Sequence, residues 1–139
     1  MDRLELCYLH RIDPQVPLGE QIGTLQALKD EGKIGHIGLS KVTPEQIRTV
    51  TNDITVAAVQ NVLNMGADRH DTARELCRDL FIPYVPYRPL DAGTLAQQGH
   101  IDAALNWLLH LGNHVAPIPS TSSPEHLRQL VAVVTGTRI

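Results

Sequence analysis

Short apolar runs alternate along this chain with stretches whose apolar residues recur at helical spacing. From Leu4 to Ile12 the period is two. Leu4, Leu6, Tyr8 and His10 share one face of a strand, and Glu5, Cys7 and Leu9 share the other. Leu18, Ile22, Leu25 and Leu28 then recur near i, i+4, i+7, which predicts a helix over Leu18–Asp30 with Gly32 as its stop. Ile34–Leu39 reads as a short, glycine-rich strand. Thr43-Pro44-Glu45-Gln46 is a helix start: Thr43 caps, Pro44 suits the first turn and Gln46 completes a capping box. The alternation continues with a strand Thr55–Val62, a helix Asp71–Leu80 and a strand Pro83–Tyr87 closed by Pro89. A helix Ile101–Leu111 stopped by Gly112, a strand Val115–Ile118 and a helix of roughly Pro124–Val134 complete it.

The order βαβαβαβαβα implies parallel strands joined by right-handed crossovers. A doubly wound open sheet and a (β/α) barrel both fit, and periodicity does not separate them. Each step is about the length of one βα unit. No stretch rich in Gly, Ser or Pro marks a boundary, so residues 1–139 read as a single domain.

Composition narrows the function classes. With 12 Lys+Arg against 15 Asp+Glu, bulk charge draws the chain neither to nucleic acid nor to an anionic membrane. The 42% apolar content fits a soluble globular protein. No apolar run approaches the roughly 20 residues of a membrane helix, and Met-Asp-Arg-Leu-Glu is no secretory leader, so a cytoplasmic location is expected. Cys7 and Cys77 form no CxxC pair and read as reduced, buried thiols.

Few residues suggest chemistry by themselves. Ser120, Thr121, Ser122 and Ser123 lead into a helix N-terminus, where backbone N–H groups and the helix dipole favour an anion; a plain cap by Ser123 gives the same pattern. Gly32, Gly35 and Gly38 do not make GxGxxG. His110 and His114 stand four apart, but Gly112 breaks the helix between them, and no metal site is expected. There is no Walker A loop, nucleophile elbow or basic-aromatic stripe.

Five segments in register resemble one family. DRLELCYLHRIDP (Asp2–Pro14) resembles the fourth barrel strand of aldo-keto reductases, and LKDEGKIGHIGLS (Leu28–Ser40) the fifth unit. Val59-Gln60-Asn61, with Asn64, Asp68 and Arg69, resembles the sixth strand and its loop. YVPYRPLDAGTL (Tyr84–Leu95) resembles the seventh. LNWLL (Leu105–Leu109) and IPSTSSPEHL (Ile118–Leu127) resemble the last helix, strand and helix. The resemblance implies a partial (β/α)8 TIM barrel with its N-terminal units absent. About five of eight units are represented, and roughly 90 residues would precede them in a barrel of about 250.

The same resemblance implies a nicotinamide cofactor, NADP or NAD, no metal, and a small carbonyl substrate. Of the family's Asp, Tyr, Lys and His tetrad, only the histidine is matched, by His10. Ser40 and Gln60 match positions that hydrogen-bond the nicotinamide carboxamide, although Lys41 stands where asparagine usually follows the serine. Tyr87 matches an aromatic that stacks on the nicotinamide, and Arg88, Leu90 and Gly93 belong to a loop that wraps the pyrophosphate. Ser120, Thr121, Ser122 and His126 match the segment that meets the adenosine phosphate, where the family often carries basic residues. Gln129 and Leu130 replace a Glu-Asn pair that contacts adenine. The expected function is carbonyl–alcohol interconversion, weak or absent in this chain alone without the Asp, Tyr and Lys. Two alternatives are a non-catalytic nicotinamide-nucleotide-binding or regulatory module and a truncated remnant. Open barrel edges imply self-association.

Overall fold

The computed structural model describes residues 3–66, 72–97 and 99–136, so Asp68, Arg69 and the expected helix start at Asp71 lie outside the described residues. Contacts divide the chain into two compact units, residues 1–61 with 71–84, and residues 62–70 with 85–139.

The first unit is a parallel βα succession. β1 (Leu4–Leu9), β2 (Ile34–Ser40) and β3 (Val56–Gln60) form a three-stranded parallel sheet in the order β1-β2-β3. Parallel neighbours need a crossover, and α1 (Leu18–Asp30) and α2 (Pro44–Asp53) supply them. α3 (Thr72–Asp79) follows β3, and Tyr84 then makes a parallel bridge to Val59. β2 is the central strand and is buried along its length except at His36. Ile37, Leu39 and Val59 of the sheet, Ile47 of α2, Cys77 of α3 and Tyr84 are sealed from solvent. β1 is the edge, and its Leu4 and Leu6 are exposed. Cys7 is only half-buried, which corrects the expectation of two buried thiols; Cys77 is buried.

Local signals fix the helix ends. Gly32 adopts φ +75°, the left-handed conformation that ends α1 and lets Lys33 N–H donate back to Leu28 O. Thr43 caps α2: Gln46 N–H donates to its hydroxyl at 3.3 Å, and Thr43 N–H donates to Gln46 Oε1 at 2.9 Å.

The second unit is helical. A single 3-10 turn over Asp91–Gly93 leads into the short α4 (Thr94–Gln97), then α5 (Ile101–Leu109) and α6 (Pro124–Thr135). Leu90, Ile101, Ala104, Leu105 and Leu130 form its core, with Leu95, Ala96 and Val133 against it. Residues 83–87 and 115–118 do not form the ladders expected of them. Pro83 and Pro86 in the first and Pro117 in the second, with Pro89 and Pro119 just beyond them, lack the N–H a ladder needs. What remains is two isolated bridges, Tyr84 to Val59 and Tyr87 to Val62, and one bond from Ile118 N–H to Pro86 O at 3.1 Å. No helix among the described residues is long and apolar enough to cross a membrane.

Candidate functional site

Strand register builds the best-defined part of the site. Ser40 and Gln60 are direct partners at the C-terminal ends of β2 and β3. Ser40 is almost fully buried, and its hydroxyl donates to Gln60 Oε1 at 3.4 Å. The chain then turns sharply, because Lys41 adopts φ +56° while its N–H donates to Gln60 O at 3.0 Å.

Asn61 holds that turn. Val42 N–H donates to Asn61 Oδ1 at 3.0 Å, and Asn61 Nδ2 donates to Val42 O at 2.8 Å. The side-chain amide thus behaves as one rung of a ladder and fixes the backbone leaving Ser40. Sequence reasoning did not single out Asn61 for this. The available signal is an asparagine directly after the last strand residue, where a short amide can stand in for backbone.

Tyr8 and His10 sit at the end of β1. Tyr8 pairs with Gly38, and a Cβ on Gly38 would lie 2.6 Å from the Tyr8 ring and 3.2 Å from Ala58 O. The tyrosine therefore lies flat across a position that only glycine leaves open. Burial raises the Tyr8 phenol above its ordinary pKa. His10 lies just beyond β1 and is exposed.

In the second unit, Asn64 is almost fully buried, accepts from Gly66 N–H at 3.0 Å and donates to Arg88 O at 3.2 Å. Arg88, at φ +53°, is exposed, and Tyr87 beside it is half-buried. Leu90 departs from its expected role, since its side chain is in the hydrophobic core and leaves only backbone for a ligand. Gly93, at φ +100°, has no atom within 4 Å of an added Cβ.

Ser120, Thr121, Ser122 and His126 are all exposed around the start of α6. Part of this segment's donor capacity is used internally. Ser123 N–H donates to Thr121 Oγ1 at 3.0 Å, and His126 N–H donates to Ser123 Oγ at 3.3 Å. Behind the segment lies an open groove of about 840 Å3 between α5 and α6, lined by Ile101, Asp102, Asn106, Glu125, His126 and Gln129 among others. Among the described residues, no group of three or more His, Cys, Asp or Glu side chains gathers to hold a metal ion.

Comparison with known proteins decides the family. The family model for the aldo/keto reductase family matches residues 1–103. This chain belongs to the aldo/keto reductase family. An uncharacterised oxidoreductase of Schizosaccharomyces pombe is 37% identical across 93% of this chain, which covers 46% of that protein. A probable aldo-keto reductase of Glycine max is 28% identical across 96% of the chain and is covered over 51% of its length. Among solved structures, a thermostable aldo-keto reductase in complex with the inhibitor epalrestat superposes with a TM-score of 0.84 at 24% identity, over 96% of this chain and 55% of that one. An aldo/keto reductase from Klebsiella pneumoniae, solved with NADP and acetate, gives 0.77 at 25% identity, over 96% and 54%. The chain thus spans about half the length of the aldo/keto reductases it matches, and its βα succession has the fold of the corresponding half of their barrels.

Proposed function

We propose that this chain carries the nicotinamide-nucleotide side of an NAD(P)H-dependent carbonyl–alcohol oxidoreductase. The observation that supports it is the Ser40–Gln60 pair at adjoining strand ends. A hydroxyl and a carboxamide both donate and accept, so the pair fits the primary amide of nicotinamide. Strand C-terminal ends are also where barrel enzymes build their sites. Ser40 and Gln60 orient the ring, and Asn61 keeps the turn beside them in place. Tyr87 offers the ring a stacking face. Arg88, the Leu90 backbone and Gly93 take the pyrophosphate, and Ser120, Thr121, Ser122 and His126 take the adenosine end. The bound nicotinamide supplies a hydride, and His10 orients the carbonyl of a small substrate by hydrogen bonding to its oxygen.

The proton is the step this chain does not provide. A general acid works best when its pKa is near the working pH, whereas burial drives that of Tyr8 upward. In this reading the Asp, Tyr and Lys come from polypeptide outside these 139 residues. Loss of a positioned acid costs about 10²–10⁴ in rate, so the chain alone turns over slowly or not at all. Incubation with NADPH or NADH and a panel of small aldehydes tests this. Binding with turnover at least a hundredfold below that of a full-length relative is expected. Full turnover would contradict the assignment of the acid elsewhere, and absence of nucleotide binding would contradict the whole reading.

A second reading is a nucleotide-binding or regulatory module without chemistry, since of the family's tetrad this chain matches only His10. Supplying a full-length relative's N-terminal half in trans separates the two. Turnover that appears only in the mixture supports the oxidoreductase, and binding without turnover supports the module.

A further inference from the structure

We propose that the 139-residue chain pairs with a second copy of itself through the corner where α3 ends, each copy placing its Phe81 in the groove beside the Phe81 of the other. The inference is independent of the nucleotide reading. Val56, the first residue of β3, lines this groove, whereas Gln60 is the last residue of that strand, at its opposite end.

α3 closes in a Schellman motif. Ile82 N–H donates to Cys77 O at 2.8 Å, and Phe81 N–H donates to Arg78 O at 3.2 Å. The motif needs a left-handed residue, and Phe81 supplies it at φ +57°. Glycine takes that conformation freely, whereas a residue with a bulky side chain is strained in it. Phe81 is also the one phenylalanine of the chain, and it is 93% exposed. Backbone strain and an aromatic ring in water thus fall on one residue. At that exposure, packing within the chain offsets little of either.

Beside Phe81 lies a groove of about 390 Å3. Leu80 and Ile82, on either side of Phe81 in the chain, line it together with Ile54 and Val56, while Phe81 stands outside it. An anchor next to a groove it does not fill is self-complementary about a two-fold axis, where each copy lends its anchor to the other's groove. A large aromatic seated in an apolar pocket is the kind of residue that carries an interface.

Charge selects the same partner. Exposed Asp53, the last residue of α2, also lines the groove, and Arg78 stands about one helical turn before Phe81. When Phe81 of one copy enters the groove of the other, its Arg78 arrives beside Asp53, and the reverse contact forms at the same time. Arg78 already pairs with Asp79 at 3.0 Å, but both side chains of that pair are exposed and it holds weakly.

One anchor per copy makes a small interface, in the class of weak and transient associations. Sedimentation velocity of the chain from about 1 μM to about 1 mM tests it. The expected result is a monomer–dimer equilibrium that stops at two, because a two-fold contact closes on itself. Phe81→Gly should weaken pairing at least about tenfold. It should also raise the melting temperature at a concentration where the chain is monomeric, since glycine relieves the left-handed position. Asp53→Arg and Arg78→Asp should each weaken pairing, and an equimolar mixture of the two should pair like the wild type, because the swapped charges meet across the axis. The mixture keeps Phe81 in place, so it reads the pairing apart from any effect of Phe81→Gly on folding. A wild-type chain that stays monomeric throughout, or that grows past two, overturns the inference. So does a dimer that Phe81→Gly leaves intact, which would run through another surface such as the β1 edge. A mixture that recovers nothing overturns the two-fold arrangement.

Discussion

The strand-end pair Ser40–Gln60 and the helix-start segment Ser120–His126 are both proposed cofactor contacts, yet they are built differently. Ser40 is buried and its partner is fixed by strand register. Its hydroxyl and the Gln60 carboxamide meet because Ser40 and Gln60 are paired residues of a parallel ladder. The residues from Ser120 to Thr121 are exposed, and the order that follows comes from hydrogen bonds within the segment. A ladder places the two side chains together and, with the Ser40 hydroxyl donating to Gln60 Oε1, leaves the Gln60 amide N–H groups for a ligand. A capped turn spends its donors on its own shape. The same types of residue thus give a pre-set contact in one place and a partly closed one in the other.

Removing Asn61 tests the first half of that contrast most severely. Asn61→Ala leaves Val42 N–H and C=O without their partner, a loss of about 1–3 kcal/mol in stability. Urea unfolding reads it. Binding of NADH should fall as well, while binding of 5′-AMP, which has no nicotinamide, stays as it was. Asn61→Asp keeps the acceptor for Val42 N–H but sets a carboxylate against Val42 O, so it should recover only part of the loss. Equal weakening of NADH and 5′-AMP would show that Asn61 acts on the fold at large.

The two caps sharpen the second half. Thr43→Ala and Ser123→Ala each remove an N-cap worth about 1 kcal/mol, visible in the melting temperature. Only Ser123→Ala also releases the His126 N–H at the candidate anion segment. It should raise affinity for adenosine 2′,5′-bisphosphate even as stability falls, whereas Thr43→Ala should leave that affinity alone. A fall in bisphosphate affinity in Ser123→Ala would mean that the cap serves the phosphate rather than competing with it.

The smallest effect belongs to Tyr8. Its folded pKa lies above the ordinary phenol value of about 10, so its contribution is fully present below that value and is lost as pH rises through the folded pKa. Stability should be flat in this term through neutral pH and decline in the alkaline range, and Tyr8→Phe should flatten the decline. An unaltered alkaline limb in Tyr8→Phe would remove Tyr8 from the account.

Much of the fold was legible in the sequence. The helix Leu18–Asp30 and its glycine stop stand where periodicity puts them, and the Thr43 capping box forms as its four residues predict. Legibility fails where proline meets a short apolar run. Residues 83–87 and 115–118 have strand-like side chains, but their prolines leave too few N–H groups for a ladder, a count that apolar patterning does not make. Leu90 shows the matching limit at the site. Its place in a loop motif suggested cofactor contact, while its apolar side chain is better satisfied in the core with Ile101 and Leu105. The hold of Asn61 on Val42 was not legible because Val42 lies 19 residues away and only strand pairing brings the two together. Asn64 similarly reaches Arg88 O, 24 residues on.

The central claim is that Ser40 and Gln60 hold the nicotinamide end of a dinucleotide, and the most direct measurement compares NADH with ADP-ribose. ADP-ribose keeps the phosphates and adenosine and lacks the nicotinamide. The wild-type chain should bind NADH more tightly than ADP-ribose, and the Ser40→Ala, Gln60→Ala double variant should bind the two alike, with ADP-ribose affinity unchanged. If the double variant kept the NADH advantage, or lost affinity for both ligands equally, the strand-end pair would not be the nicotinamide contact.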